Sequence, residues 1–215
     1  MAAATNGEAP DAGPESFGFD AESEAAIPRI LAKFPPGKQA SAVLPLLYLV
    51  QRQMARATGS AWVPRVAMEE VARRLGMPPI RVYEVATFYT MFNTHPIGKY
   101  HLQVCTTTPC WLRGSDQVVH ACRKVTGIKG WGETSADGLF TMSEVECLGA
   151  CVNAPILQVN DDYYEDLDAA VTERLLAALK RGEPPPPPGS ATGRVGSAPE
   201  GGPTTLTSLS FAAPE

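Results

Sequence analysis

VCTTTPC at residues 104–110 and CLGAC at residues 147–151 are the two stretches on which the interpretation of this chain depends. They hold four of its five cysteines as two close pairs: Cys105 with Cys110, and Cys147 with Cys151. The segment between the pairs is long enough for a helix and a strand. Thiolates are soft ligands that bind zinc, copper(I) and iron-sulfur clusters. The spacing therefore predicts a metal site with four thiolate ligands.

The composition limits the classes of protein to which the chain can belong. Its 215 residues are 44% hydrophobic and 19% charged, with a net charge of −5, which is typical of a soluble globular protein. No cluster of Lys and Arg with interleaved aromatic residues is present, so we expect no nucleic-acid partner. The longest apolar run, residues 42–50, is far shorter than the roughly 20 residues of a membrane-spanning helix. We therefore expect no insertion into a membrane.

The N-terminal segment predicts where the chain resides. Residues 1–19 lack the positive start and apolar stretch of a secretory signal, they contain three acidic residues, and the first arginine of the chain is Arg29. We therefore expect a bacterial cytoplasmic protein. Because the cytoplasm is reducing, close cysteine pairs are more often metal ligands or redox centres than structural disulfides. Neither pair has the Cys-x-x-Cys spacing of a redox thioredoxin.

The first half of the chain is predicted to be helical. Residues 1–19 are rich in Ala, Gly and Pro and are expected to be disordered. Residues 20–95 are expected to form a bundle of four helices. The predicted helices cover residues 21–34 after an N-cap at Asp20, residues 39–57, residues from about 64 to Gly76, and residues 78–92. Glu69, Glu70, Arg73 and Arg74 are expected to line a solvated helix face as pairs four residues apart.

The second half has a different pattern. Residues 96–182 show strand signals at 100–105, 139–145, 155–159 and 163–164, and helix signals at 115–126 and 167–180. Ser115 or Asp116 is the expected N-cap of the first helix, and Asp168 that of the second. This order predicts an α/β sandwich of thioredoxin type. Residues 183–215 are predicted to be a Pro/Gly-rich extended tail, in which Leu206, Leu209 and Phe211 resemble anchors for another surface.

The cysteine spacing alone leaves zinc and an iron-sulfur cluster open, because zinc sites tolerate about two to four residues between paired ligands. The surroundings favour a cluster, whose net negative charge increases on reduction and must be stabilised by backbone N–H groups. Residues 106–109 lead into a helix whose N-terminal amides are expected to face the site. Gly149 and Ala150 are small enough to let backbone amides approach the sulfur atoms.

Several strings in the chain together resemble the E subunit family of NADH-quinone oxidoreductase, respiratory complex I. The strings are RVYEVATFYTMFN at 81–93, YHLQVCTTTPC at 100–110, EVECLGACVNAP at 144–155, DYYEDL at 162–167 and PEGGPTTLTS at 199–208. The resemblance extends from about residue 19 to about residue 209. It implies an N-terminal helical region followed by a thioredoxin-like ferredoxin domain. It also implies one 2Fe-2S cluster, with Cys105, Cys110, Cys147 and Cys151 as ligands and one iron expected on each pair.

The resemblance further implies a role for the chain in a larger enzyme. The cluster would exchange single electrons with the flavin mononucleotide (FMN) of a partner subunit that also binds NADH, and would lie off the main chain of clusters that leads to quinone. The complex would lie on the cytoplasmic side of the bacterial inner membrane. One alternative is the equivalent diaphorase subunit of an NAD-linked hydrogenase or formate dehydrogenase. An alternative from another class is a zinc-stapled scaffolding module.

Other residues have simpler interpretations. The glycines at 127–132 lack the Gly-x-Gly-x-x-Gly order, so the sequence predicts no dinucleotide site. Cys122 lies on the apolar face of a predicted helix and is expected to be a buried structural thiol. His95, His101 and His120 are separated from the cysteines in sequence and are not expected to be ligands. Phe88, Tyr89 and Phe92 form a stripe that is expected to lie in the core, with part of it packing on the flavin subunit.

Overall fold

The computed structural model describes residues 13–194 and 204–205. The chain divides into two compact units between Lys99 and Tyr100, close to the predicted boundary between residues 95 and 96. We call them the helical unit and the sheet unit. The predictions for residues 1–12 and for Leu206, Leu209 and Phe211 fall outside the described residues. Within the described residues, no helix is long and apolar enough to cross a lipid bilayer.

The helical unit contains four α-helices, as predicted. They are α1 (Ala21–Leu31), α2 (Val43–Thr58), α3 (Arg65–Leu75) and α4 (Pro79–Phe88), and a 3-10 turn over Gln39–Ala42 precedes α2. Asp20 is the N-cap of α1 and accepts a hydrogen bond of 2.8 Å from the Ser23 amide, as predicted. Gly76 ends α3 in the left-handed conformation, where glycine carries no steric cost.

The core of the helical unit consists of apolar residues at helical spacing. Leu46, Leu47 and Val50 of α2 are fully buried against α3 and α4 residues such as Val71 and Val82. Phe17 and Phe19 also pack against this core, so ordered packing begins before residue 20. The hydrophobic effect of this burial holds the four short helices together, because helices of this length are marginal alone.

The predicted end of α4 is wrong, and the predicted burial of its aromatic stripe holds only for Phe92. The helix ends at Phe88 and not at Phe92, because Tyr89 adopts an extended conformation. The aromatic stripe is consequently divided: Phe92 is buried, whereas Phe88 is 76% exposed and Tyr89 is 37% exposed.

On the charged face of α3, the predicted pair of Glu70 with Arg74 is present and the predicted pair of Glu69 with Arg73 is not. Glu70 is only 13% exposed in its side chain and accepts hydrogen bonds from both Arg73 and Arg74. Arg74 also pairs with Glu24 of α1, and Glu69 pairs with Arg65. Arg73 lowers the pKa of Glu70 most strongly and Arg74 lowers it further, against the opposing effect of partial burial. Arg74 thus joins α3 to α1, and Glu70, which Arg74 also contacts, is not a freely solvated residue.

The sheet unit is built on a six-stranded mixed sheet. The strands are β1 (Tyr100–Cys105), β2 (Glu133–Thr134), β3 (Phe140–Val145), β4 (Leu157–Val159), β5 (Asp162–Glu165) and β6 (Gly189–Ser190). Their order across the sheet is β2-β3-β1-β4-β5-β6. β1 runs parallel to β3 and antiparallel to β4. The four predicted strands are present, and the short strands β2 and β6 were not predicted.

Three helices accompany the sheet. They are α5 (Thr108–Leu112), α6 (Ser115–Thr126) and α7 (Ala169–Arg181). Asp168 caps α7 as predicted and accepts a hydrogen bond of 2.6 Å from the Val171 amide. The predicted cap of α6 is wrong: Gly114 is the N-cap, with φ +96°, and Ser115 is fully buried inside the helix. A one-turn helix, α5, occupies the preceding residues, so the chain needs a glycine to turn sharply into α6.

The core of the sheet unit lies between the sheet and the long helices. Phe140 and Met142 of β3 and Leu102 of β1 are fully buried together with Leu175 of α7. Cys122 of α6 belongs to the same core, and burial raises the pKa of its thiol to about 12. The prediction that Cys122 is a buried thiol is confirmed. The architecture is α/β with an N-terminal helical bundle, as the sequence predicted.

Candidate metal centre

The two cysteine pairs meet at one edge of the sheet because β1 and β3 are parallel neighbours. Cys105 is the last residue of β1 and is paired in register with Val145, the last residue of β3. Parallel strands present their carboxyl ends at the same edge, so the loop that follows β3 begins beside Cys105. Cys147 stands in that loop, only two residues after the strand ends. The central pairing of the sheet therefore brings together cysteines that are far apart in sequence.

The remaining two cysteines are brought back to this edge by short helical turns. Cys110 lies in α5, which begins directly after the loop that leaves β1, and Cys151 begins a 3-10 turn over Cys151–Asn153. Ile156 connects the two regions: its carbonyl accepts a hydrogen bond of 3.3 Å from the Cys105 amide, and its own amide donates to the Cys110 sulfur. Cys105, Cys110, Ala154 and Ile156 form a small separate core.

The four thiols stand as two pairs. The Sγ atoms of Cys147 and Cys151 are 3.1 Å apart, and the thiols of Cys105 and Cys110 are hydrogen-bonded to each other. Cys105 and Cys110 are buried, Cys151 is partly exposed and Cys147 is exposed. Within the described parts of the chain, no three His, Cys, Asp or Glu side chains are grouped closely enough to hold a single metal ion.

Within each pair the two thiol pKa values move in opposite directions. Burial first, and then the hydrogen bond to Cys105, raise the pKa of Cys110 to about 12. Burial opposes ionisation of Cys105 too, but a hydrogen bond from the Thr107 hydroxyl and bonds from backbone amides lower its pKa overall. The bond between Cys147 and Cys151 lowers the pKa of Cys147 and raises that of Cys151. The pKa of one thiol in each pair thus lies below that of an ordinary cysteine and the pKa of the other lies above it.

Backbone amides surround the sulfur atoms. The amides of Leu148 and Thr107 donate to the Cys105 sulfur, and the Gly149 amide lies 3.4 Å from the Cys147 sulfur. Gly149 has φ +84°, a conformation that glycine adopts without steric cost, and this conformation allows its amide to face the preceding thiol. The sequence predicted amides from a helix N-terminus and amides that approach sulfur beside the small residues Gly149 and Ala150. Most of the amides that reach sulfur belong to loops.

The four thiols fit an iron-sulfur cluster in donor type and arrangement. Two adjacent thiolates repel each other, so full ionisation of a pair requires positive charge between its members. A metal ion beside each pair would supply that charge, and the loop amides would stabilise the negative charge that remains on sulfur. The histidines lie elsewhere; the His101 ring, for example, has its Nε2 2.9 Å from Ser143 Oγ.

Exposed apolar side chains flank the cysteines, and the sequence interpretation missed them. Trp111 and Leu112 follow Cys110 and are 58% and 69% exposed, and Val152 follows Cys151 and is 48% exposed. The signal was present in the sequence, since each is a large apolar residue close behind a candidate ligand. We call these three residues the apolar rim. A rim of this kind is typical of a surface that contacts another protein.

Hydrogen bonds to the sheet hold both cysteine loops in place. The Tyr163 hydroxyl of β5 donates a hydrogen bond of 3.0 Å to the Leu148 carbonyl. The Thr106 hydroxyl donates one of 2.6 Å to Glu144 of β3, which ties the first cysteine loop to the strand that leads to the second. Both loops are therefore fixed to the sheet independently of any bound group.

Comparison with known proteins identifies relatives of the whole arrangement. The family described as Thioredoxin-like [2Fe-2S] ferredoxin matches residues 27–180. The E subunit of NADH-quinone oxidoreductase from Rickettsia prowazekii (strain Madrid E) is 56% identical over 161 residues, which cover 75% of this chain and 88% of the relative. Its counterpart from Rickettsia conorii (strain ATCC VR-613 / Malish 7) is 57% identical over 165 residues, covering 77% and 95%.

More distant matches agree on the fold. The mitochondrial NADH dehydrogenase [ubiquinone] flavoprotein 2 of Dictyostelium discoideum is 49% identical over 168 residues, which cover 78% of this chain and 66% of the relative. Among solved structures, an NAD+-reducing [NiFe]-hydrogenase in the H2-reduced state matches with a TM-score of 0.54 and 23% identity. That match covers 65% of this chain and only 23% of the hydrogenase chain, and at this identity it supports the fold alone.

Proposed function

The chain belongs to the thioredoxin-like 2Fe-2S ferredoxin family, and from this premise we propose that it is the electron-transferring E subunit of an NADH-quinone oxidoreductase. The observation that carries the proposal is the meeting of two cysteine pairs at one sheet edge, in a chain that is 56% and 57% identical to two proteins of that name over 75% and 77% of its length. A protein of this family carries an iron-sulfur cluster. We further propose which residues bind this cluster and with which subunit it exchanges electrons.

Cys105, Cys110, Cys147 and Cys151 would hold the cluster, one pair to each iron. A bound 2Fe-2S cluster supplies a centre that accepts and donates one electron at a time. The chain's own residues prepare the site for this chemistry. The amides of Leu148 and Gly149 face the sulfurs, where they stabilise negative charge. Ile156 helps to shield Cys105 and Cys110 from water in a small apolar core.

Electrons from NADH would reach this site through a partner. The sequence contains no dinucleotide-binding fingerprint, so we assign NADH and FMN to another subunit of the complex, which would lie on the cytoplasmic side of the bacterial inner membrane. The apolar rim of Trp111, Leu112 and Val152 would face that subunit. A close contact of this kind shortens the distance between the two redox centres, and the exclusion of water from it lowers the reorganisation energy of electron transfer.

The alternatives differ in their support. A diaphorase subunit of a hydrogenase is favoured only by a structural match at 23% identity, whereas the two Rickettsia relatives exceed 50% identity over three quarters of the chain. A zinc scaffold would satisfy the same four thiols. It would not be reducible, so an electron-transfer experiment separates the two classes.

Reduction by NADH in the presence and absence of the partner tests the proposal. We expect dithionite to bleach the visible spectrum of the purified chain and NADH alone to leave it unchanged. Addition of the FMN-containing subunit should then allow NADH to bleach it. Cys105→Ala is the control, because it should retain partner binding but show no visible spectrum to bleach. Bleaching of the isolated chain by NADH, or no bleaching after addition of the FMN-loaded partner, would overturn the proposal.

A further inference from the structure

The segment after α7 returns to the site, although it lies beyond residues 27–180 of the family match. Gly189–Ser190 form β6, which pairs in parallel with β5 at the edge of the sheet. The Ala191 amide extends this pairing with a hydrogen bond of 2.9 Å to the Glu165 carbonyl. We call residues 189–194 the strap. Composition alone predicted this region to be part of an extended tail.

Asp166 is the residue on which the strap converges. Its side chain is only 6% exposed, and its backbone has φ +51°, a conformation that aspartate and asparagine tolerate better than most residues. Its carboxylate accepts hydrogen bonds from the hydroxyls of Ser190, at 2.5 Å, and Thr192, at 3.2 Å. Arg194 lies 3.8 Å away as its ionic partner. A buried carboxylate needs such partners, because an uncompensated charge is costly away from water.

Arg194 connects the Asp166 carboxylate and its strap partners to the second cysteine pair. Its Nη2 donates a hydrogen bond of 2.7 Å to the carbonyl of Val152, the residue after Cys151. In the same turn, the Asp166 amide donates a hydrogen bond of 2.6 Å to the Asn153 carbonyl. The 3-10 turn that begins at Cys151 is therefore held at two consecutive carbonyls, one by Arg194 and one by Asp166.

We infer that Arg194 and Asp166 are positioning residues for the second cysteine pair and that the strap is part of the metal centre. The inference builds on the proposed function, since it assigns these residues a role toward the cluster that the four cysteines would hold. The Arg194 guanidinium places a positive charge at the carbonyl of Val152, the residue that follows Cys151 in the sequence. Positive charge near an anionic centre favours its more negative, reduced form. Arg194 thus holds the turn and raises the reduction potential, whereas the Asp166 charge acts in the opposite direction.

Substitutions at both residues, made in the full chain, separate these effects. Arg194→Gln removes the positive charge and leaves the negative charge of Asp166 without its ionic partner. We therefore expect a lower reduction potential and several-fold faster release of iron to a chelator. Arg194→Lys keeps the charge and should restore most of the potential. Asp166→Asn keeps the shape and tolerates the positive φ, and it should raise the potential. A merely structural role would not give shifts of opposite sign.

Arg181→Gln is the matched control. Arg181 is also an arginine near the C-terminal end of the sheet unit, but its ion pair is with Glu183 on the exposed surface. We expect this variant to match the wild type in potential and in iron release, with unchanged far-UV circular dichroism in all variants. The inference is overturned if Arg194→Gln behaves like Arg181→Gln in both measurements.

A measurement on the metal-free chain keeps this test separate from that of the proposed function. Alkylation of each cysteine, followed by mass spectrometry, reports the rigidity of its loop without any cluster. Arg194→Gln should accelerate alkylation of Cys147 and Cys151 several-fold and leave the buried pair, Cys105 and Cys110, unchanged. Equal rates at Cys151 in Arg194→Gln and Arg181→Gln would refute the positioning role, even if the wild-type chain proved to bind no iron.

Discussion

Two buried cysteines provide the most direct comparison between a ligand and a structural thiol. Cys110 and Cys122 are both buried, with 1% and 0% exposure, and burial raises the pKa of each thiol to about 12. Substitution by alanine removes the same sulfur atom from each. Burial and acidity therefore do not distinguish the two residues. Only Cys110 lies beside another cysteine at the sheet edge.

The expected loss of stability follows from the size of the sulfur atom. Sulfur is similar in size to a methylene group, whose burial contributes about 0.8 kcal/mol. The cavity left behind adds a few tenths of a kcal/mol, at about 24 cal/mol per Å³. Each substitution is therefore expected to lower the unfolding free energy of the metal-free chain by about 1 kcal/mol, or its Tm by about 2–4 °C.

Cluster content should separate the two variants completely. Cys122→Ala is expected to keep the wild-type visible spectrum and iron content, whereas Cys110→Ala should lose the spectrum because one iron lacks a ligand. Visible absorbance and iron analysis measure the cluster, and circular dichroism at increasing temperature measures the shared loss of stability. An unchanged spectrum in Cys110→Ala, or equal loss of iron in both variants, would refute the ligand assignment.

Three further predictions concern the fold. Phe140→Ala should lower the unfolding free energy of the sheet unit by about 3–5 kcal/mol, because Phe140 is fully buried; the exposed Phe88→Ala should change that of the helical unit by less than about 0.5 kcal/mol, and equal effects in urea unfolding would contradict the burial assignment. Because the pKa of Glu70 is lowered in the folded chain, its ion pairs contribute stability above the ordinary pKa of 4.5 and lose it as the pH falls below that value. Glu70→Gln should weaken the acid dependence of unfolding, and an unchanged dependence would refute this role. Gly149→Ala should lower the stability of the sheet unit by about 1–2 kcal/mol, since an L-residue disfavours φ +84°; Gly18→Ala, where a Cβ also meets open space, should be nearly neutral, and equal Tm values for the two variants would contradict the backbone argument.

Local signals in the sequence were sufficient for most elements. The helical spacing of Leu46, Leu47 and Val50 predicted the buried face of α2, and all three are fully buried. Asp20 and Asp168 were predicted as N-caps and accept the expected amide hydrogen bonds. These signals work because capping and amphipathic burial depend on neighbours within a few residues.

The errors arose where distant residues decide the conformation. Residues 89–92 are predicted to continue α4, but the Gln51 side chain accepts a hydrogen bond from the Asn93 amide and donates one to the Met91 carbonyl. The Asn93 side chain in turn donates a hydrogen bond to the Ala61 carbonyl, and the Asn93 carbonyl accepts one from the Val63 amide. Such tertiary hydrogen bonds replace those of the helix, and no periodicity within residues 78–92 reveals them.

The site shows the same division between local and distant information. The cysteine spacing and the end of β1 at Cys105 were visible in sequence. The meeting of the pairs depends on the parallel pairing of β1 with β3, which joins residues about 40 positions apart. The strap is equally distant, since Arg194 contacts the turn at Val152 across a helix and three strands. Neither contact produces a pattern within a short window of sequence.

Elemental analysis of the purified full chain tests whether the four cysteines hold a 2Fe-2S cluster. We predict about two iron atoms and about two acid-labile sulfides per chain, in a brown protein that gives an electron paramagnetic resonance signal only after reduction. A colourless protein that contains about one zinc ion per chain and no acid-labile sulfide would show that the four cysteines do not hold a 2Fe-2S cluster.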